Sequence, residues 1–190
     1  MNIFKKLLNI LFGKNKRDSN HINSQIEDFD VSDMSGLIRS LKLSIVLGDI
    51  KLNPKLSVFS KKDIELLRYV SDLGFYVGGS YVLRLYGLME RDSNDLDIFG
   101  DVEMCVENGI INKKNVINKT IGDYGRGDVR YKIRTDKGVL DIFQKKDIIN
   151  IESVEGINFN SPFMTLEAKS NYGRYKDYKD FLFIKNKFNL

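Results

Sequence analysis

The sequence predicts an α/β domain of the α+β kind, a small mixed β-sheet flanked by helices. Three observations carry this. An apolar run, Phe75-Tyr76-Val77, ends in Gly78-Gly79 and gives way to helical spacing. A second run, Asp95-Leu96-Asp97-Ile98-Phe99, alternates acidic with apolar residues in the manner of a strand. A third region, Val129 to Phe143, holds two strand-like runs around Thr135-Asp136-Lys137-Gly138, which is turn chemistry and reads as a hairpin. With 190 residues, 42% of them hydrophobic and only two prolines, the chain can bury one core and carry a small appendage.

Taken in order, residues 1–17 read as a basic amphipathic arm. Ile3, Phe4, Leu7, Leu8, Ile10, Leu11 and Phe12 form an N-terminal amphipathic helix with Lys5 and Lys6 beside them, ending at Gly13 before Lys14, Lys16 and Arg17. Such an arm docks on a partner, on a groove of its own domain or on a membrane surface, and the first two are preferred. It starts like a signal peptide, but the basic cluster ends the apolar run early and no small-residue cleavage site follows. Residues 18–35 read as a polar linker, and residues 36–190 as the domain.

Within the domain, Leu37 to Leu47 forms either a helix or a strand. Lys61 to Leu73 has helical spacing through Ile64, Leu67, Val70 and Leu73, with Ser60 as N-cap. Ser80 to Tyr86 is a helix, and Pro162 to Tyr172 and Lys176 to Phe188 are two more. Val102 to Asp128 suggests turns around short apolar pieces, a place for an acceptor-binding insert. No run of apolar residues reaches membrane-spanning length.

The chemistry concentrates in two places. Strand geometry sends Asp95 and Asp97 to one face and Leu96 and Ile98 to the other, and two anions so close call for a cation between them. Hard carboxylate oxygens favour Mg²⁺ or Mn²⁺, which keep open positions for phosphate. Gly78 and Gly79, with Ser80 opening a helix, offer unpaired N–H groups to an anion. A Gly-Gly-Ser turn alone is commonly just a turn, and Asp-Leu-Asp alone is commonly a wet strand face. Their order and separation, with a third carboxylate downstream, reverse those odds. The third is Asp141, which interrupts the apolar run Val139-Leu140-Asp141-Ile142-Phe143; a metal on a neighbouring strand would compensate it. The plainer alternative is an edge strand with a solvated Asp141.

Composition narrows the rest. His21 is the only histidine and lies in the polar linker; Cys105 is the only cysteine. A histidine triad, a Cys-His pair and a multi-cysteine zinc site are therefore poorly supported. The lone cysteine makes no intramolecular disulfide and suits a cytoplasmic location. No Walker-type loop or dinucleotide fingerprint is present. The formal charge is +4, but five cations and no acid fall in the first 17 residues, so the body is close to neutral and the basic pI says little about nucleic acid.

These residues resemble a known family. The run GGSYVLRLYGLMERDSNDLDIF is similar to the signature of the polymerase-β-like nucleotidyltransferases, and Arg91-Asp92-Ser93-Asn94-Asp95-Leu96-Asp97 resembles the form found in small AbiEii-type toxin nucleotidyltransferases. Lys169, then Gly173-Arg174-Tyr175-Lys176-Asp177-Tyr178-Lys179-Asp180, resembles the element that closes many small members. The resemblance covers roughly residues 61 to 188. It implies a nucleotidyltransferase fold and Mg²⁺- or Mn²⁺-dependent transfer of a nucleoside monophosphate from a nucleoside triphosphate, ATP or GTP among them, to RNA or protein. It also implies Asp95, Asp97 and Asp141 as catalytic metal ligands, with Asp141 helping to activate the acceptor hydroxyl. Gly78, Gly79, Ser80, Lys169, Arg174 and Lys176 would serve the nucleotide. A helix-end salt-bridge network would equally account for Arg174, Lys176, Asp177 and Asp180. The short stretch after Asp180 suits a minimal, toxin-like enzyme completed by an antitoxin or by self-association. Two other readings stand beside it: a non-enzymatic binding or assembly protein on the same fold, and an antibiotic-modifying nucleotidyltransferase.

Overall fold

Short apolar runs form the middle of the sheet because their neighbours bury them on both sides. The computed structural model describes residues 31–92, 96–121, 129–146 and 150–190. The N-terminal arm, residues 18–30 of the linker with His21, and Ser93, Asn94 and Asp95 lie outside the described residues, as do residues 122–128 of the expected insert. In chain order the elements are α1 (Val31–Val46), α2 (Lys61–Asp72), β1 (Tyr76–Val77), α3 (Gly79–Leu85), β2 (Ile98–Gly100) and α4 (Val102–Glu107). Then come β3 (Val116–Ile121), β4 (Val129–Thr135), β5 (Gly138–Gln144), β6 (Ile151–Val154), β7 (Ile157–Asn160), α5 (Pro162–Tyr172) and α6 (Tyr175–Phe188).

The seven strands of the described residues make one mixed sheet in the order β3-β4-β5-β2-β1-β7-β6. β2 runs parallel to β5 and β1 parallel to β7, whereas β1–β2, β3–β4, β4–β5 and β6–β7 are antiparallel. The α/β reading with helices flanking a mixed sheet holds at this level. β5 lies inside the sheet, so the edge-strand part of the alternative for Asp141 falls, while its side chain is part exposed. Alternation puts Val77, Ile98, Ile133, Ile142 and Phe159 on the core face, all nearly fully buried. Each such side chain contributes roughly 1.5–3 kcal/mol by leaving water.

Helix α2 packs against β1 and β7. It buries Leu67 and Val70, and Ser71 Oγ donates to the Leu67 carbonyl (3.0 Å) while accepting from the Asn158 amide (2.9 Å). Ser60 caps α2 as expected, in a capping box with Asp63: the Asp63 amide donates to Ser60 Oγ (3.1 Å) and the Ser60 amide to Asp63 Oδ2 (3.2 Å). Ser60→Ala is expected to lower stability by about 1 kcal/mol, read in a urea titration; an unchanged midpoint would remove the cap from the account.

Several expectations need correction. α1 begins at Val31, inside the stretch read as linker, and buries Met34, Leu37, Ile38 and Leu41 at helical spacing. The segment read as turns, Val102 to Asp128, opens with helix α4, whose N-cap Asp101 accepts from the Met104 amide (3.0 Å), and includes strand β3. α4 is six residues long, too short for periodicity to reveal, and β3 is an edge strand exposed along most of its length. The β6–β7 hairpin had no expectation at all. Its turn puts Glu155 (φ 49°) and Gly156 (φ 80°) in the left-handed region, and glutamate is an unusual residue for that place. Among the described residues no helix is long and apolar enough to cross a membrane.

Candidate active site

Because β1 and β2 are antiparallel, the end of β1 meets the start of β2, and the glycine turn therefore faces Asp97. The Gly78 amide donates to the Asp97 carbonyl (2.9 Å), extending the ladder one step beyond the strands. Gly79 has a left-handed backbone (φ 61°), and a Cβ there would fall on the Asp97 carboxylate; a Cβ on Gly78 would fall on the Phe99 ring. The two glycines therefore let a carboxylate and an aromatic ring lie directly against the turn. Gly79→Ala is expected to cost about 1–2 kcal/mol from the left-handed backbone alone, before the clash with Asp97 is added. A thermal melt equal to that of the unaltered protein would show that the turn relaxes freely.

Asp141 reaches the same place from β5. Ile98 pairs with Ile142 and Phe99 with Phe143 across the parallel β2–β5 ladder, so Asp97 and Asp141 stand next to each other one residue ahead, on the face opposite the core. Asp141 is 44% exposed, its Oδ2 lies 3.9 Å from Arg130 Nη1, and its Oδ1 is buried with no hydrogen-bond partner. Such an orphaned carboxylate oxygen is costly unless a cation uses it. Asp95, the third expected ligand, lies outside the described residues. Among the described residues no set of three His, Cys, Asp or Glu side chains comes together.

An aromatic row runs across this face. Tyr76 stacks on Phe99 (centroids 5.6 Å) and Phe99 on Phe143 (4.9 Å), with the Arg130 guanidinium 3.9 Å from the Phe143 centroid. The rings stand upright on neighbouring strands with their faces against each other, and the row ends by holding Arg130 beside Asp141. Neither Arg130 nor the row was foreseen; the alternation of Arg130, Lys132 and Arg134 in β4 was the available signal.

The helix-end residues form a continuous ladder around two buried carboxylates and a buried ammonium. Arg91 holds Asp180 bidentately, Nε to Oδ1 (2.8 Å) and Nη2 to Oδ2 (2.8 Å). The Lys169 ammonium donates to Asp180 Oδ2 (2.8 Å) and Asp177 Oδ1 (3.0 Å), and Arg174 grips Asp177 through Nε (2.7 Å) and Nη2 (3.2 Å). Asp177 and Asp180 face the same side of α6, three residues apart, and Lys169 comes from α5. Burial pushes the Asp177 carboxyl up, but the Arg174 hydrogen bond and Lys169 outweigh it and hold the group below the usual carboxylate range. Arg174 feels burial first, which acts downward, yet ends raised by Asp177, with Tyr172 and Asp97 adding to the rise.

The nucleotide-binding expectations thus divide. Gly78 and Gly79 sit at the turn against Asp97, and Ser80 lies half-buried in the first turn of α3. Arg174 is near enough to Asp97 for their charges to interact. Lys169 is only 4% exposed and enclosed by its two carboxylates, while Lys176 is exposed on α6. Comparison with protein-family models, with curated proteins and with solved structures finds no match.

Proposed function

We propose that the chain is a metal-dependent nucleotidyltransferase of the polymerase-β-like fold, moving a nucleoside monophosphate from a nucleoside triphosphate to an RNA or protein acceptor in a toxin-like, cytoplasmic role. The observation that carries the reading is that Asp97 lies against a Gly-Gly turn that has no room for a side chain, while the register of the parallel β2–β5 pair brings Asp141 alongside Asp97. Asp97 and Asp141 would hold Mg²⁺ or Mn²⁺, and the orphaned Oδ1 of Asp141 fits that use. The ion supplies neutralisation of the triphosphate's negative charge.

The chain's own groups account for the remaining chemistry. Gly78 and Gly79 let the Asp97 carboxylate lie against the start of α3, and the Arg174 charge, which interacts with Asp97, favours an anion nearby. An acceptor hydroxyl forms a bond to the α-phosphorus as the bond between the α- and β-phosphates breaks. Pyrophosphate leaves with the electron pair, and Asp141 receives the acceptor's proton. Transfer of this kind depends on position and charge, so a site without histidine suffices.

The test is incubation with each labelled nucleoside triphosphate, Mg²⁺ or Mn²⁺, and total cellular RNA and protein, beside an Asp97→Asn/Asp141→Asn double variant. Label on macromolecule with the unaltered protein alone supports the reading and identifies the acceptor. Absence of label, together with absence of metal-dependent triphosphate binding, would sink it. An antitoxin or a second copy of the chain is the expected regulator.

A further inference from the structure

The chain is fastened on both sides of residues 93–95. On the far side, the Asp97 carbonyl accepts from Gly78 at the turn (2.9 Å). On the near side, Arg91 binds Asp180 through two parallel hydrogen bonds of 2.8 Å. We propose that Arg91 is a positioning residue for Asp97: its fork anchors the chain, six residues ahead of Asp97, to the buried Asp180 carboxylate. The consequence for metal and substrate rests on the nucleotidyltransferase reading above; the tie itself is a property of the fold.

The contrast with a neighbouring ion pair explains the weight given to Arg91. One residue on, Asp92 pairs with Arg84 at 3.2 Å, but Asp92 is 86% exposed and water competes for its carboxylate. Asp180 is 2% exposed and cannot turn to water if Arg91 leaves. A guanidinium in bidentate contact also fixes its own plane, which one ammonium cannot do. Behind Asp180 the ladder is stiff because each carboxylate is shared by two cations: Asp180 by Arg91 and Lys169, Asp177 by Lys169 and Arg174. Its three cations exceed its two carboxylates by one charge, and Arg174, whose charge interacts with Asp97, is half-exposed. The ladder therefore anchors the chain at Arg91, and at its other end the Arg174 charge interacts with Asp97.

The experiment compares the full chain with Arg91→Lys, Arg91→Ala and, as a control on the exposed pair, Asp92→Asn. Three quantities are read: hydrogen exchange at the Gly78 amide relative to the central amide of Ile142, Mn²⁺ affinity by spin-resonance titration, and kcat and KM for the nucleoside triphosphate. Arg91→Ala is expected to speed Gly78 exchange about tenfold beyond any change at Ile142 and to weaken Mn²⁺ binding about tenfold. Its kcat falls more than its KM rises. Arg91→Lys keeps the charge, so it folds and shows the same changes at smaller amplitude; it carries the test if Arg91→Ala does not fold. Asp92→Asn matches the unaltered protein.

If Gly78 exchange in both Arg91 variants rises only in step with Ile142, and Mn²⁺ affinity is unchanged in an active protein, the positioning role is overturned and Arg91 is merely structural. An unaltered protein that neither binds Mn²⁺ nor transfers nucleotide overturns the nucleotidyltransferase reading and takes the catalytic consequence of Arg91 with it.

Discussion

Asp97→Asn is expected to lower nucleotidyl transfer by about a thousandfold or more while leaving the fold intact. Asparagine keeps the shape of the side chain, so the close contact with Gly79 and the carbonyl bond to the Gly78 amide both survive. What disappears is one of two negative charges that the β2–β5 register brings together, Asp97 just ahead of β2 and Asp141 on β5. Without metal those charges repel while Arg174 attracts Asp97, so the two effects offset and the metal-free variant should melt near the temperature of the unaltered protein. With metal the order reverses. An ion at 100 times its dissociation constant stabilises the folded state by about 2.7 kcal/mol, and the variant should lose most of that gain. Calorimetry with and without Mg²⁺, beside the transfer assay, separates a lost ligand from a damaged fold. A variant that transfers nucleotide at the unaltered rate would exclude Asp97 from the chemistry.

Asp180→Ala is expected to cost about 3–5 kcal/mol of folding stability, a large share of the roughly 5–15 kcal/mol that holds a domain together. Asp180 is the carboxylate common to Arg91 and Lys169, and Lys169 is itself buried. Truncation leaves an ammonium with one partner instead of two in a site water does not reach. Asp180→Asn, which retains acceptor capacity, should cost less. Denaturant titration of both, compared with Lys42→Ala at an exposed pair with Glu167, measures the difference that burial makes. Equal costs at the two sites would contradict the ladder's role.

The ladder also carries a pH signature. The folded-state carboxyl of Asp177 titrates below its unfolded value, so its stabilisation is fully present above about pH 4 and is lost as pH falls through the folded value. The stability difference between the unaltered protein and Arg174→Met should therefore be constant near neutrality and shrink in acid. A difference that grew on acidification would contradict the assignment of Arg174 to Asp177.

Much of this was legible one segment at a time. Ser60 and the Ile64-Leu67-Val70 spacing specified α2, Asp136-Lys137-Gly138 specified the β4–β5 turn, and Ser161-Pro162 opened α5 with a cap and a preset backbone. Each signal acts within a few residues, through a local hydrogen bond or a fixed φ. α4 and the β6–β7 hairpin escaped because their local signals are weak: six residues in one, a Glu-Gly turn in the other.

The sequence by itself determined the local elements and the residue types of the candidate site: carboxylates at Asp97 and Asp141, glycines at Gly78 and Gly79, and cations at Lys169 and Arg174. Only the tertiary structure decided their neighbours. The β2–β5 pairing that sets Asp97 beside Asp141 joins residues 44 positions apart in the chain, and the bond from Arg91 to Asp180 joins residues 89 apart. Tertiary burial likewise enclosed Lys169 between two carboxylates and left Lys176 in water, though both read as basic residues near a helix end. Contacts across such distances come from strand order and from packing that excludes water, and neither is written in the spacing of any single segment.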